Sequence, residues 1–253
     1  MNEAANRFTV VTIFPALIEA FGETGIVRRA CDAGLIALNC TNPRSFSENE
    51  SGQVDDSPYG GGPGMVMKVQ TMRAAIDSAR GDRPATVAYL TPQGRPINQT
   101  VFTELRAHEH LILVAGRYEG IDERIVERDV DLELSLGDFI LSGGEVAAMA
   151  IIEGVTRIIP GALGSDVSAG ADSFSTGLLE HPQYTRPEVI GDQRVPSVLL
   201  SGNHEEIAQW RHKQALKRTL QRRPDLIESA QLGEEDERLL EEIALEIAAK
   251  IEN

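Results

Sequence analysis

The chain has 253 residues, with 24 basic and 39 acidic side chains and a net charge of −15. That length allows one large domain or two small ones, and 42% hydrophobic with 25% charged residues excludes general disorder. No apolar run approaches the ~20 residues a membrane helix needs; Phe8 to Ile18 is broken by Thr9, Thr12 and Pro15 and is not expected to act as a signal peptide. Cys31 and Cys40 form neither a CxxC pair nor a disulfide framework, so a cytoplasmic location is expected.

In chain order, short runs rich in Val, Ile and Leu suit buried strands at Phe8–Phe14, Leu35–Cys40, Ala85–Leu90 and Leu111–Ala115. Helical spacing is found at Val69–Ala79, Asn98–Glu109 and Gly144–Ile159. This alternation predicts an α/β domain, residues 1–159, with a largely parallel sheet. Ser47–Gly64 reads as a loop ending in glycines, and residues 160–177, dominated by Gly, Ser and Ala, read as a flexible linker. Residues 178–253 then form a small helical C-terminal domain, with helices at His204–Arg223 and Glu234–Ile251. The second of these places Leu240, Ile243, Ile247 and Ile251 on one face.

The acidity argues against a nucleic-acid partner, but the charge is unevenly spread. Arg211, Lys213, Lys217, Arg218, Arg222 and Arg223 lie in a stretch without acidic residues, from Ile207 to Pro224. Asp225 to Asn253 holds ten acidic residues against Arg238 and Lys250. The basic patch is expected to contact RNA, with a solvated face pairing with the acidic final helix as the plain alternative. Trp210 is expected to pack rather than to stack on a base.

Common catalytic signatures are missing. Gly60 to Gly64 matches neither GxGxxG nor GxxxxGK[ST], the five histidines form no HExxH, and no GxSxG nucleophile elbow occurs.

Six other strings occur in order. They are Pro58–Met65 (PYGGGPGM), Tyr89–Gly94 (YLTPQG), Gly116–Arg124 (GRYEGIDER), Gly137–Glu145 (GDFILSGGE), Tyr184–Pro187 (YTRP) and Leu199–His204 (LLSGNH). From Phe8 to about Arg223 the chain closely resembles the bacterial tRNA (guanine-37-N1)-methyltransferases of the trefoil-knotted SPOUT superfamily. The resemblance implies a deep C-terminal trefoil knot in the α/β domain that binds S-adenosylmethionine. It also implies a homodimer with active sites shared between chains, and the tRNA anticodon stem-loop as partner, with residues 178–253 as the tRNA-binding domain.

Cofactor contacts are carried over to Tyr89, Leu90, Thr91, Pro92 and Gly94 in the first loop, and to Gly116, Tyr118 and Glu119 in the second. The third loop contributes Leu136, Gly137, Asp138, Phe139, Ile140, Leu141, Gly143 and Gly144. Glycines there allow backbone to approach an adenine, and Leu136, Ile140 and Leu141 suit apolar walls. Glu119 and Asp138 are also candidates to hold the cofactor or a cation. The family is associated with Mg²⁺, but no separate cage of ligands is visible and no metal residue is assigned.

Methylation at guanine N1 requires removal of the proton that nitrogen carries. The family match makes Asp172 the general base and Arg157 the group that stabilises the guanine. Two departures from the family pattern are Phe139, where tyrosine is frequent, and Ala147, where proline is frequent. Alternative readings are a knotted methyltransferase for another RNA position, a non-enzymatic RNA-binding protein, and a nucleotide-binding switch, the last lacking a phosphate loop.

Overall fold

The apolar runs become strands of one sheet. The computed structural model describes residues 6–163 and 172–251, the side chains of residues 250 and 251 excepted. Its strands are β1 (Asn6–Val11), β2 (Ile36–Thr41), β3 (Asp55–Asp56), β4 (Val66–Met67), β5 (Thr86–Pro96), β6 (His110–Ala115) and β7 (Leu132–Ser135). Five of them make a sheet in the order β2-β1-β6-β5-β7, and every neighbouring pair is parallel. β3 and β4 form a separate antiparallel pair.

Parallel strands need crossovers, and helices supply them. They are α1 (Pro15–Gly22), α2 (Gly25–Asp32), α3 (Val69–Arg80), α4 (Gln99–Arg106), α5 (Glu123–Asp129) and α6 (Glu145–Thr156). Successive strand residues point to opposite faces. Phe8, Val10, Leu90, Leu111 and Leu113 enter one core with Ile18, Val27, Leu105, Ile151 and Ile152 from α1, α2, α4 and α6. Val11, Val87, Tyr89, Ile112 and Val114 enter the other, against Met72, Ala75 and Ile76 of α3 and Ile125 of α5. Burial on both faces is why these strands read as continuous apolar runs rather than alternating ones.

One strand leaves the sheet and returns. β5 pairs with β7 from Ala88↔Leu132 to Leu90↔Leu134, departs through Thr91–Gly94, and pairs again at Arg95↔Leu134 and Pro96↔Ser135. A Cβ on Gly94 would collide with the backbone of Glu133 and Leu134. Glycine therefore permits the re-entry.

The chain divides into two compact units, Met1–Asp166 and Val167–Asn253. Of the expected linker, Ala162 is buried in the first core and residues 172–177 form turns, while Leu178, just beyond it, is buried in the second unit's core. Its middle, residues 164–171, lies outside the described residues.

The second unit contains a two-stranded hairpin, β8 (Val189–Ile190) and β9 (Gln193–Arg194). Three helices follow: α7 (His204–Arg222), α8 (Pro224–Ser229) and α9 (Glu234–Ile251). Asn203 caps α7, its side chain accepting from Glu205 N at 3.2 Å. Leu178, Leu216 and Ile243 are the buried centre, flanked by Leu220, Leu240 and Ile247, while the side chain of Ile251 lies outside the described set.

This packing pairs part of the basic patch with the acidic final helix, the plain alternative for it. Docking α9 on α7 sets Glu242 and Glu246 beside Lys213, both at 3.0 Å, and Glu246 beside Lys217 at 2.7 Å. Arg223 pairs with Asp225 at 2.6 Å. Those three cations are engaged within the chain. The two lysines hold the Glu246 carboxyl down at about 2.

Candidate active site

The C-terminal ends of β5, β6 and β7 open into one cavity of about 410 Å³, where open parallel sheets usually place ligands. Three loops build its walls. Tyr89 to Gln93 enter from β5, Gly116 to Ile121 from the end of β6, and Leu136, Gly137 and residues 139–144 from the end of β7.

The loops are locked to one another by backbone. Gly144 N donates to Gly116 O at 3.1 Å, and Arg117 forms an antiparallel bridge with Gly143. A Cβ at Gly144 would lie 2.8 Å from Ala115 Cα and 3.1 Å from Leu90 Cβ, so only glycine lets α6 begin this close to the sheet. The glycine-rich segment before β4 joins from the outside. Glu119 N donates to Met65 O and Met67 N to Gly120 O, both at 3.0 Å, and Gly64 sits tightly against the Glu119 side chain.

Under the cavity wall lies a buried ionic network. Glu145, the first residue of α6, is 1% exposed. Thr12 Oγ1 donates to its Oε1 at 2.8 Å and Arg117 Nε donates to the same oxygen at 3.1 Å. Arg117 Nη2 is 2.8 Å from Oε2, an ion pair without hydrogen-bond alignment. The Arg117 guanidinium also lies 4.4 Å from the centre of the Phe14 ring. A carboxylate at a helix N-terminus additionally complements the helix dipole.

Two further features mark the cavity. Tyr118 holds a φ of 59°, left-handed for a residue with a Cβ. Burial pushes the Tyr89 phenol above its ordinary value, so it remains protonated.

Of the sixteen positions expected to touch cofactor, Gly94 and Asp138 do not line this cavity and the others do. Gly94 faces the backbone of β7, and Asp138 is exposed. Arg117, Ser142 and Ala147 also line it; the first two stand inside the quoted strings and had no role assigned.

Arg157 caps the C-terminus of α6, its backbone N–H donating to Glu153 O at 3.0 Å. Asp172 opens a turn in the second unit, its carbonyl accepting from Ser175 N at 3.2 Å. Neither is among the residues lining the cavity.

Comparison with known proteins decides the family. Residues 6–229 match the family described as tRNA (Guanine-1)-methyltransferase TrmD. The chain belongs to this family. Among similar proteins is a tRNA (guanine-N(1)-)-methyltransferase of Pseudomonas aeruginosa (strain LESB58), 54% identical over 236 residues, 92% of this chain and 94% of the relative. Those of Halorhodospira halophila and Marinomonas sp. are 52% and 51% identical. They cover 97% and 95% of this chain, and 94% and 96% of their own lengths. For this family member, among the described residues, no group of three His, Cys, Asp or Glu side chains is placed to hold a metal ion. No described helix is long and apolar enough to cross a membrane.

Proposed function

We propose that this chain transfers a methyl group from S-adenosylmethionine to N1 of guanine 37 in the tRNA anticodon loop. Guanine-N1 methylation of tRNA, and with it use of the methyl donor, follow from family membership. The nucleotide position, the seat of the cofactor and the residue roles are the further reading. The convergence of three glycine-bearing loops on one cavity at the ends of parallel strands carries it.

The site's shape fits the donor. A 410 Å³ cavity suits a molecule of that size. Gly116 and Gly144 bring backbone to the wall, and Leu136, Ile140 and Leu141 supply apolar surface. Bound there, the donor supplies an electrophilic methyl group on a positively charged sulfur. The trefoil knot belongs to the same reading, which the return of β5 beside β7 and the tie between Gly144 and Gly116 support.

Asp172 takes the proton from guanine N1, and Arg157 faces the negative charge that develops on O6. Positioned proton transfer contributes ~10²–10⁴-fold, and an aimed cation adds on the order of 3–4 kcal/mol if it acts as oxyanion-hole donors do. An anticodon-loop nucleotide leaves its stack at low cost. The homodimer is supported by apolar surface on the first unit, where Phe14, Leu17 and Val146 are each more than 40% exposed. Magnesium remains an implication of the family.

The test is methyl transfer from labelled S-adenosylmethionine to unmodified tRNA transcripts carrying guanine or adenine at position 37. Transfer to the guanine transcript alone is expected, with a ~10²-fold or greater loss in Asp172→Asn. Transfer that survives the base change moves the target elsewhere. Full activity in Asp172→Asn ends its role as base.

A further inference from the structure

We infer that the second unit grips the RNA backbone through one stripe of α7, Arg211–Arg218–Arg222, which leads into a nucleotide-sized cleft. The lysines on the helix's other side serve α9 instead. This rests on tRNA being the substrate and names the surface that holds it.

The helix period separates the two faces. At ~100° per residue, positions 211, 218 and 222 fall within about 40° of each other, whereas Lys213 and Lys217 lie about 200° and 240° from Arg211. The lysines are neutralised by Glu242 and Glu246 of α9. Among the described residues, no ion pair engages Arg211, Arg218 or Arg222. Three cations over about 16 Å of helix axis form a stripe suited to a run of phosphates, where guanidinium groups bind bidentately.

A second observation points the same way. Arg211, at one end of the stripe, also lines a cleft of about 450 Å³ with His181, Tyr184 and Arg186. Tyr184 is 49% exposed and its ring centre stands 6.3 Å from that of Trp210. Glu188 is the acidic member of the lining and disfavours packing the cleft with phosphate alone. An exposed aromatic ring beside two arginines suits an unpaired base with its own phosphate.

The α9 carboxylates give the arrangement its selectivity. They sit where a second strand of phosphates would otherwise bind, and confine RNA to one side of α7.

The experiment measures binding of a labelled tRNA transcript to the full chain at 50, 100 and 200 mM salt. The triple variant Arg211→Gln/Arg218→Gln/Arg222→Gln is expected to raise Kd about tenfold or more at 100 mM and to flatten the log–log salt slope by about 2–3. Lys213→Gln/Lys217→Gln should change the slope by less than about 1 while lowering the thermal midpoint. Glu242→Gln/Glu246→Gln should steepen the slope. Circular dichroism confirms that each variant folds. An unchanged slope in the folded triple variant, or an equal loss in the lysine variant, overturns the inference. A wild-type chain that methylates tRNA while the triple variant binds normally sinks the stripe alone; a wild-type chain that neither binds nor methylates tRNA sinks the functional reading beneath it.

Discussion

Arg117 and Glu145, 28 positions apart, are joined beneath the cavity, with Nη2 2.8 Å from Oε2 and Nε donating to Oε1 at 3.1 Å. The pair ties the loop after β6 to the first residue of α6, so two cavity walls share one ionic strut. Removing one member of a buried pair leaves the other charge without compensation. Glu145→Ala is therefore expected to cost about 2–4 kcal/mol in urea unfolding, somewhat below the fully buried case because Arg117 keeps 21% exposure. Glu145→Gln, which retains an acceptor for Thr12 and Arg117, should cost less. Equal losses would show that charge contributes nothing.

Gly144→Ala tests the close approach of α6 to the sheet. The added methyl meets backbone at Ala115, which cannot rotate away. A loss of about 1–3 kcal/mol is expected, together with weaker cofactor binding by calorimetry. Gly81, with open space around it and a φ of 58°, gives the contrast. Its alanine variant should lose only backbone preference, because φ 58° with ψ −143° is a region essentially confined to glycine, at a cost of about 1–3 kcal/mol, and bind cofactor normally.

His110 sets a pH dependence for the first unit. Burial, then Arg7 and Arg83, push its imidazole below the ordinary value of 6.5. Thr9 Oγ1 lies 2.9 Å from its Nε2, and Nδ1 is buried without a hydrogen-bond partner among the described residues. The unfolded chain therefore binds the proton more readily than the folded one. The stabilisation is present above pH 6.5 and is lost as pH falls below it. Thermal midpoints between pH 7.5 and 5 should fall more steeply in the wild type than in His110→Gln.

The second unit has an acid limit of its own. Lys217 and Lys213 lower the Glu246 carboxyl from 4.5 to about 2. Its contribution is complete above pH 4.5 and disappears as pH falls towards 2. The carboxylate is 43% exposed, so solvent screening keeps the effect small. Hydrogen exchange should show α9 losing protection over that interval, and Glu246→Gln should remove the part of the loss that this residue causes.

The sheet was legible where burial was two-sided. Phe8–Val11, Ala88–Leu90 and Leu111–Ala115 are apolar because both faces are covered, and α3, α4 and α6 carry clear helical spacing. β7 was not legible. It is a four-residue edge strand containing Glu133, without an apolar run to announce it. α1 was hidden because Phe14 extends the apolar run of β1, although Pro15 suits a first helical turn. α5 is seven residues and mostly charged. The ordered motif strings located the cavity loops. They could not show that Gly94 serves strand pairing, or that Arg117 and Glu145 meet, because neither contact has a local signature. The division of the basic patch is hidden for a similar reason: counting charges along α7 does not reveal which side α9 covers.

The departure and return of β5 also governs how the cavity fills. Thr91–Gly94 is held at both ends by pairing to the same strand, with Ile97 N donating to Ser135 O at 2.9 Å just beyond. A segment clamped in this way has no free arm and cannot swing as a lid. Gly143 and Gly144 are likewise tied to Arg117 and Gly116. Residues 139–142, all exposed, are the part of the wall without such a clamp. Admission of a ligand thus falls to that short stretch, and the remaining rim works as a fixed socket whose shape is set before anything binds.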